Sequence, residues 1–436
     1  MFVQPKVNSA CHVRKRPQAS QFRFFGAAFL AFLSAGGCGA VVATDDGSPP
    51  RTTLSLSSLD LDNSSTFFES TPNDAMSLAE RVQVGAGSRV ISGRITDGFD
   101  IDVFDLGPVA RGDRILVTMA NDPTLDGVIA LFDGDGDALL VNDHRNVYLG
   151  ETTPFIDVVA RRTESSCFVA VSATPGYGSY GDYGLVASKQ PGVPLLPYRP
   201  DVILLVFDGA ADVRIGGRAP VIVPAFDAAN IDGKYAGKTS AMVRDIVAAI
   251  RDDYRSFHVT VLSTSEGARD DGTMTRVFFG TFDPALLGVA EGIDEFNAMG
   301  AQDAIVFTDT FSAFMQLDPT VVQMAAAIAN VASHEAGHLL GLVHTSDPFG
   351  IMDVTASLSD LLHDQDFRRS PIYADVFPIG YQDAVQTLLD TVGGDALLNR
   401  VKQIVKDLDM SRYRVDSDKP PARSSFQLST CGLDHP

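Results

Sequence analysis

Residues Ser333–Asp353 read SHEAGHLLGLVHTSDPFGIMD, and three of the chain's eight histidines fall within eleven positions of it. On a helix, His334 and His338 are four residues apart, so both imidazoles project from one face and can share a metal ion. Glu335 lies one position on and is rotated away from that pair, where it can stand beside a water without displacing a ligand. Gly341 lets the chain leave the helix, because glycine tolerates left-handed backbone angles. The turn brings His344 back as a third nitrogen ligand. Three protein ligands leave a fourth position for water, which separates catalytic from structural zinc. Zinc lowers the pKa of such a water to about 7, and Glu335 is placed to take its proton and pass it to a leaving amine.

The spacing HExxHxxGxxH is far more specific than HExxH alone, and Met352 follows eight residues after His344. Together these residues resemble the metzincin clan of zinc endopeptidases. The resemblance extends over about Asp201–Ser411, where strands, the motif helix and a C-terminal helix follow in the expected order. It implies an α+β catalytic domain with a twisted mixed sheet. It also implies that Met352 forms an apolar floor beneath the metal rather than a ligand. Two positions depart from the clan's known patterns. Thr345 follows the third histidine where matrixins have serine, and Val354 stands where astacins and serralysins have a zinc-contacting tyrosine. Matrixin-like is the nearest fit.

The elements that must hold this centre can be read from the rest of the chain. Val202–Phe207 reads as a buried strand, and Thr239–Tyr254 carries apolar residues at helical spacing. Strands are expected at His258–Ser263, Arg276–Phe282 and Ala304–Thr308. Asp318 and Pro319 predict the N-cap and first-turn proline of a long helix through the motif. Helical segments are expected at Tyr381–Thr391 and Ala396–Leu408, and 412–436 reads as a polar tail. His144, His258 and His363 lack metal-ligand spacing and read as surface or packed residues.

Upstream, 76–188 is expected to be an all-β sandwich, with short apolar or alternating runs separated by Gly- and Asp-rich turns. Its segments DGFDIDVFDL, GVIALFDGDGDALLVND and CFVAVSATPGYGSYGDYGLVAS resemble the bacterial pre-peptidase C-terminal domain. That family implies a sandwich appended to secreted peptidases, without catalysis of its own. Asp133, Asp135 and Asp137 are candidate calcium ligands. The EF-hand pattern fails there, since Ala138 and His144 occupy its glycine and glutamate positions, and a hairpin turn explains the same residues. Residues 189–200 hold four prolines and read as a linker.

The 436-residue length calls for two or three domains, and the 45% hydrophobic content is ample for their cores. The net charge of −21 argues against nucleic-acid binding. Residues 1–38 combine five basic residues, an apolar run at Phe24–Leu33 and a small-residue exit ending in Cys38, the layout of an export signal. The apolar run is short for a bilayer span. Gly36–Cys38 resembles a lipobox, which would lipidate Cys38 and anchor the protein at a bacterial cell envelope; cleavage after Ala43 would secrete it freely. Residues 39–75 read as a flexible tether. Outside the cytosol, Cys167 and Cys431 could pair or remain thiols.

The sequence therefore points to an exported zinc endopeptidase acting on proteins or peptides. The alternative is a surface adhesion or binding lipoprotein whose metzincin fold no longer cuts. Zinc hydrolysis of a non-peptide bond is a third reading.

Overall fold

The computed structural model describes residues 66–395 except 71, 86 and 145–152, together with the backbone of Ser429–Cys431. The export signal, Cys38, most of the tether and the helix expected at Ala396–Leu408 lie outside the described residues.

The first half is built from β1 (Phe67–Phe68), β2 (Glu80–Arg81), β3 (Gly87–Ile95), β4 (Ile101–Asp105), β5 (Arg114–Asn121), β6 (Gly127–Phe132), β7 (Ala138–Asn142), β8 (Phe155–Val159), β9 (Phe168–Ala173) and β10 (Gly181–Gln190). They form two sheets, ordered β1-β3-β10-β5-β8 and β2-β4-β9-β6-β7. Inward residues such as Ile91, Phe104, Val117, Ile129, Val169 and Leu185 fill the space between them. Cys167 lies in this core as a free thiol, and burial pushes its pKa up.

One polar cluster interrupts the sandwich core. Asp102 is fully buried and accepts a hydrogen bond from the Tyr183 hydroxyl at 2.7 Å. Burial pushes its carboxyl up to about 8 from an ordinary 3.8, with the nearby Glu69 adding to the effect. The folded chain thus keeps a proton that the unfolded chain releases. This contribution to stability is full below about pH 4 and is lost as pH rises to 8, at up to about 1.4 kcal/mol per pH unit. Asp102→Asn keeps an acceptor for Tyr183 and removes the titration. Its unfolding free energy should therefore fall less between pH 5 and pH 8 than that of the parent, as followed by urea denaturation. Identical profiles for the two proteins would exclude Asp102 as the source.

The second half contains β11 (Asp201–Val206), β12 (Ala210–Val213), β13 (Val221–Val223), α1 (Ala228–Ile231), α2 (Thr239–Tyr254), β14 (Val259–Ser263), β15 (Thr275–Phe279), β16 (Leu286–Ala290), β17 (Asp303–Val306), α3 (Val321–His338), α4 (Leu358–Leu361), β18 (Arg369–Pro371), β19 (Tyr381–Asp383), α5 (Ala384–Thr391) and β20 (Ser429–Cys431). Its main sheet runs β14-β11-β15-β17-β16-β20. The first four strands are mutually parallel, β16 is antiparallel to β17, and β20 is parallel to β16. The continuous apolar run of β11 follows from burial on both faces. Ile203 and Leu205 pack with α2 and α3, while Leu204 and Val206 pack with Val213 and Val223 of the β12–β13 hairpin. The chain is thus multidomain, a β-sandwich followed by a mixed α/β half.

Several boundaries differ from expectation. The cap of α3 is Thr320, whose hydroxyl accepts from Gln323 N at 3.3 Å, while Gln323 Oε1 accepts from Thr320 N at 3.0 Å. Asp318 instead ends a preceding 3-10 segment in a left-handed conformation. A capping box therefore starts the helix two residues later than the Asp-Pro signal suggests. Residues 381–383 form a strand before α5 begins. The segment read as a polar tail supplies β20.

The aspartate turn of the sandwich meets the second half. Asp133 Oδ1 accepts from the amides of Asp135 and Asp137, and the Asp137 carboxylate is bound by Arg369 Nε at 2.6 Å. Arg369 also reaches the Asp135 carbonyl and stacks 4.0 Å from the Tyr381 ring. Beside this clamp, Phe132 packs on Phe377 and Val128 on the same apolar cluster as Ile372. Asp133 and Asp137 are engaged in a turn and an ion pair. The convergence of three or more metal-binding side chains found among the described residues lies elsewhere.

Candidate metal centre

Helix α3 carries His334 and His338 on one face near its C-terminal end, where both side chains are buried. The helix is pinned from behind: the Ser333 hydroxyl donates to Asp253 at 2.7 Å and the Tyr254 hydroxyl to the Ser333 carbonyl at 2.9 Å. After His338 the chain leaves the helix through Gly341, at φ +92°. A side chain there would be strained and would also press on the Asp294 carbonyl, 3.2 Å from an added Cβ.

The turn returns His344 to the pair. The ligand nitrogens of His334, His338 and His344 lie within 4.8 Å of one another, with ring centroids 4.7–5.3 Å apart. His334 Nδ1 lies 2.7 Å from the Ile351 carbonyl, and His338 Nδ1 lies 2.7 Å from the Leu342 carbonyl. A carbonyl can only accept, so each Nδ1 carries the proton and each Nε2 offers a lone pair. The two Nε2 atoms face each other at 3.1 Å. Two lone pairs so close require a cation or a shared proton between them. Burial lowers the His334 pKa to about 4, and burial with the neighbouring histidines lowers that of His338 well below the ordinary value. At neutral pH both are in the uncharged form that binds a metal. The donor set fits a divalent cation with nitrogen preference, and the residues that would hold it are these three histidines.

Met352 supports the cluster from below. A Cβ at Gly337 would lie 2.7 Å from the Met352 sulfur, so the glycine of HEAGH is the space this thioether fills. Thr345, one of the two atypical positions, pairs in parallel with Asp353, and Val354, the other, closes that pairing. Thr345 N donates to the Met352 carbonyl at 2.8 Å and Val354 N to the Thr345 carbonyl at 3.2 Å.

Two contributors escape the motif. Gln382 on β19 grips the main chain of Val343, accepting from its amide at 2.7 Å and donating to its carbonyl at 2.9 Å. That clamp fixes the residue preceding His344. Gly288 on β16 faces the Glu335 carboxylate, since a Cβ there would come within 2.8 Å of Glu335 Cγ and Cδ. Glu335 is therefore directed toward the β16 side of the sheet and is fully buried. A glycine inside an otherwise apolar strand signals such a close approach, whereas a lone glutamine carries no signal in sequence. His144, His258 and His363 are not in the cluster.

No protein-family profile matches the chain, and no curated protein matches its sequence. Among solved structures the chain has distant likenesses. Archaemetzincin from Methanopyrus kandleri is 16% identical over 39% of this chain and 91% of its own, at a TM-score of 0.22. The pre-peptidase C-terminal domain of a Bacillus anthracis collagenase is 14% identical over 28% of this chain and 100% of its own, at 0.19. PliG, a periplasmic inhibitor of g-type lysozyme from Aeromonas hydrophila, is 16% identical over 29% and 99%, at 0.22. Likenesses at these scores do not establish a fold.

Proposed function

We propose that this chain is an exported zinc-dependent endopeptidase of the metzincin type. The observation that carries the reading is the convergence of three imidazole ligand nitrogens, two of them on the helix that also carries the buried Glu335. A closed structural site would add a fourth side-chain ligand, and among the described residues the cluster comprises three. When bound, zinc would supply Lewis-acid polarisation of a carbonyl and a water acidic enough to ionise near pH 7.

The protein's own groups do the rest. His334, His338 and His344 hold the ion, with the first two oriented by the Ile351 and Leu342 carbonyls. Glu335 takes a proton from the attacking water and returns it to the departing amine nitrogen. Met352 and Gly337 close the space beneath, excluding water from the back of the centre. The sandwich docked on the second half through Asp137 and Arg369 is read as an accessory domain, and attachment through Cys38 as the route to the cell envelope.

The test is metal removal and return. Chelator-treated protein should lose cleavage of casein, and zinc added in amounts below one equivalent should restore it in proportion to the ion bound. Undiminished cleavage by protein shown to be metal-free would overturn the proposal.

A further inference from the structure

The sheet edge beside Glu335 is occupied by the chain itself. β16 is antiparallel to β17 and would be the open edge of the main sheet if β20 were absent. An open edge presents unpaired amides and carbonyls to any extended polypeptide, which can then be held by main-chain hydrogen bonds. This edge is the one next to the chemistry, because Gly288 lies against the Glu335 carboxylate. β20 pairs with it in parallel, Leu286 opposite Ser429 and Gly288 opposite Cys431. Adjacent strands lie about 4.8 Å apart, so the backbone of Ser429–Cys431 runs alongside the position that Glu335 serves. β20 also lies beside α3, the helix that carries the histidines.

We propose that β20 is an intramolecular occupant of the substrate-docking edge, so that a polypeptide substrate must displace Ser429–Cys431 from β16 before it reaches the metal centre. The inference rests on the peptidase reading given above. The strand suits this role because it is short, with two paired positions on β16, and is therefore displaceable. Its covalent attachment compensates for that weakness, since a tethered segment acts at an effective concentration of about a millimolar.

Two variants separate occupancy from simple structural support. One ends at Leu428; the other is the full chain with Thr430→Pro, which removes an amide hydrogen from β20. With a fluorogenic peptide substrate and zinc-loaded protein, both should lower KM about five-fold and leave kcat unchanged, as expected on loss of an internal competitor. A fluorescently labelled peptide spanning Phe426–Pro436 should bind the shortened protein and not the full chain, as read by anisotropy. That binding needs no turnover, so it tests docking even if the protein cuts nothing. A sixth strand with a purely structural role would lower Tm in both variants while leaving KM unchanged. That result, or failure of the peptide to bind the shortened protein, would overturn the proposal.

Discussion

Glu335→Ala is expected to lower kcat/KM for peptide hydrolysis by about 10³-fold, the middle of the range for removing a positioned general base, while zinc content stays at one ion per chain. The two readouts separate because Glu335 is not among the three converging nitrogen donors. It sits one residue beyond His334 on α3, rotated by about 100° around the helix axis, and its carboxylate lies against Gly288 of β16. Removing it should leave the imidazoles on their carbonyl partners at Ile351 and Leu342. The measurement pairs casein or peptide cleavage with metal analysis of the same preparation. Equal cleavage by mutant and parent would remove Glu335 from the mechanism whatever the metal content. Loss of both activity and metal would instead make Glu335 a determinant of the site's assembly.

The centre was largely legible because its information is local. His334, Glu335 and His338 are placed by one helix, and Gly341 needs only its own φ to turn the chain toward His344. The same holds for the long apolar strands, whose period or length is written in a few consecutive residues. β16 was not legible: LLGVA is short, carries a glycine, and is made a strand by its neighbour β17 and not by propensity. The two-residue strands β1 and β2, and β20, escape for the same reason, since each exists by pairing with a segment distant in sequence. The start of α3 was misplaced because two capping signals stand within three residues, and the reciprocal Thr320–Gln323 bonds prevail over Asp318-Pro319.

The DGDGD turn illustrates a different limit. Sequence alone offers calcium or a solvent-facing hairpin for Asp133, Asp135 and Asp137. What the sequence does not announce is Arg369, more than two hundred residues away, whose guanidinium binds Asp137 and whose face stacks on Tyr381. Burial raises the Asp137 carboxyl to about 6 even though Arg369 opposes the shift. At the end of the proline-rich stretch before Asp201, Arg199 N donates to the Thr391 carbonyl and Asn297 Nδ2 to the Arg199 carbonyl, contacts that no local pattern announces.

The strongest prediction outside the motif concerns Gly288. Gly288→Ala is expected to reduce kcat by about 10²-fold, the lower end of the general-base contribution, with zinc content and far-ultraviolet circular dichroism unchanged. Its backbone is not in the left-handed region reserved for glycine, so alanine introduces no backbone strain. The cost is steric, and it falls on one group: the added methyl would lie 2.8 Å from Glu335 Cγ and Cδ. Because Glu335 is fully buried on a helix packed against the sheet, its carboxylate can yield only by changing rotamer. The three atoms nearest the added methyl all belong to Glu335, so the histidines should keep their carbonyl partners. A carboxylate displaced by about an ångström no longer meets the water's proton, so kcat should fall more than KM changes. Gly337→Ala provides the contrast, since its added methyl would strike the Met352 sulfur beneath the histidines and should weaken zinc retention instead. If Gly288→Ala keeps full kcat, Glu335 is not held where the strand places it, and the proton transfer assigned to it must be served by another group.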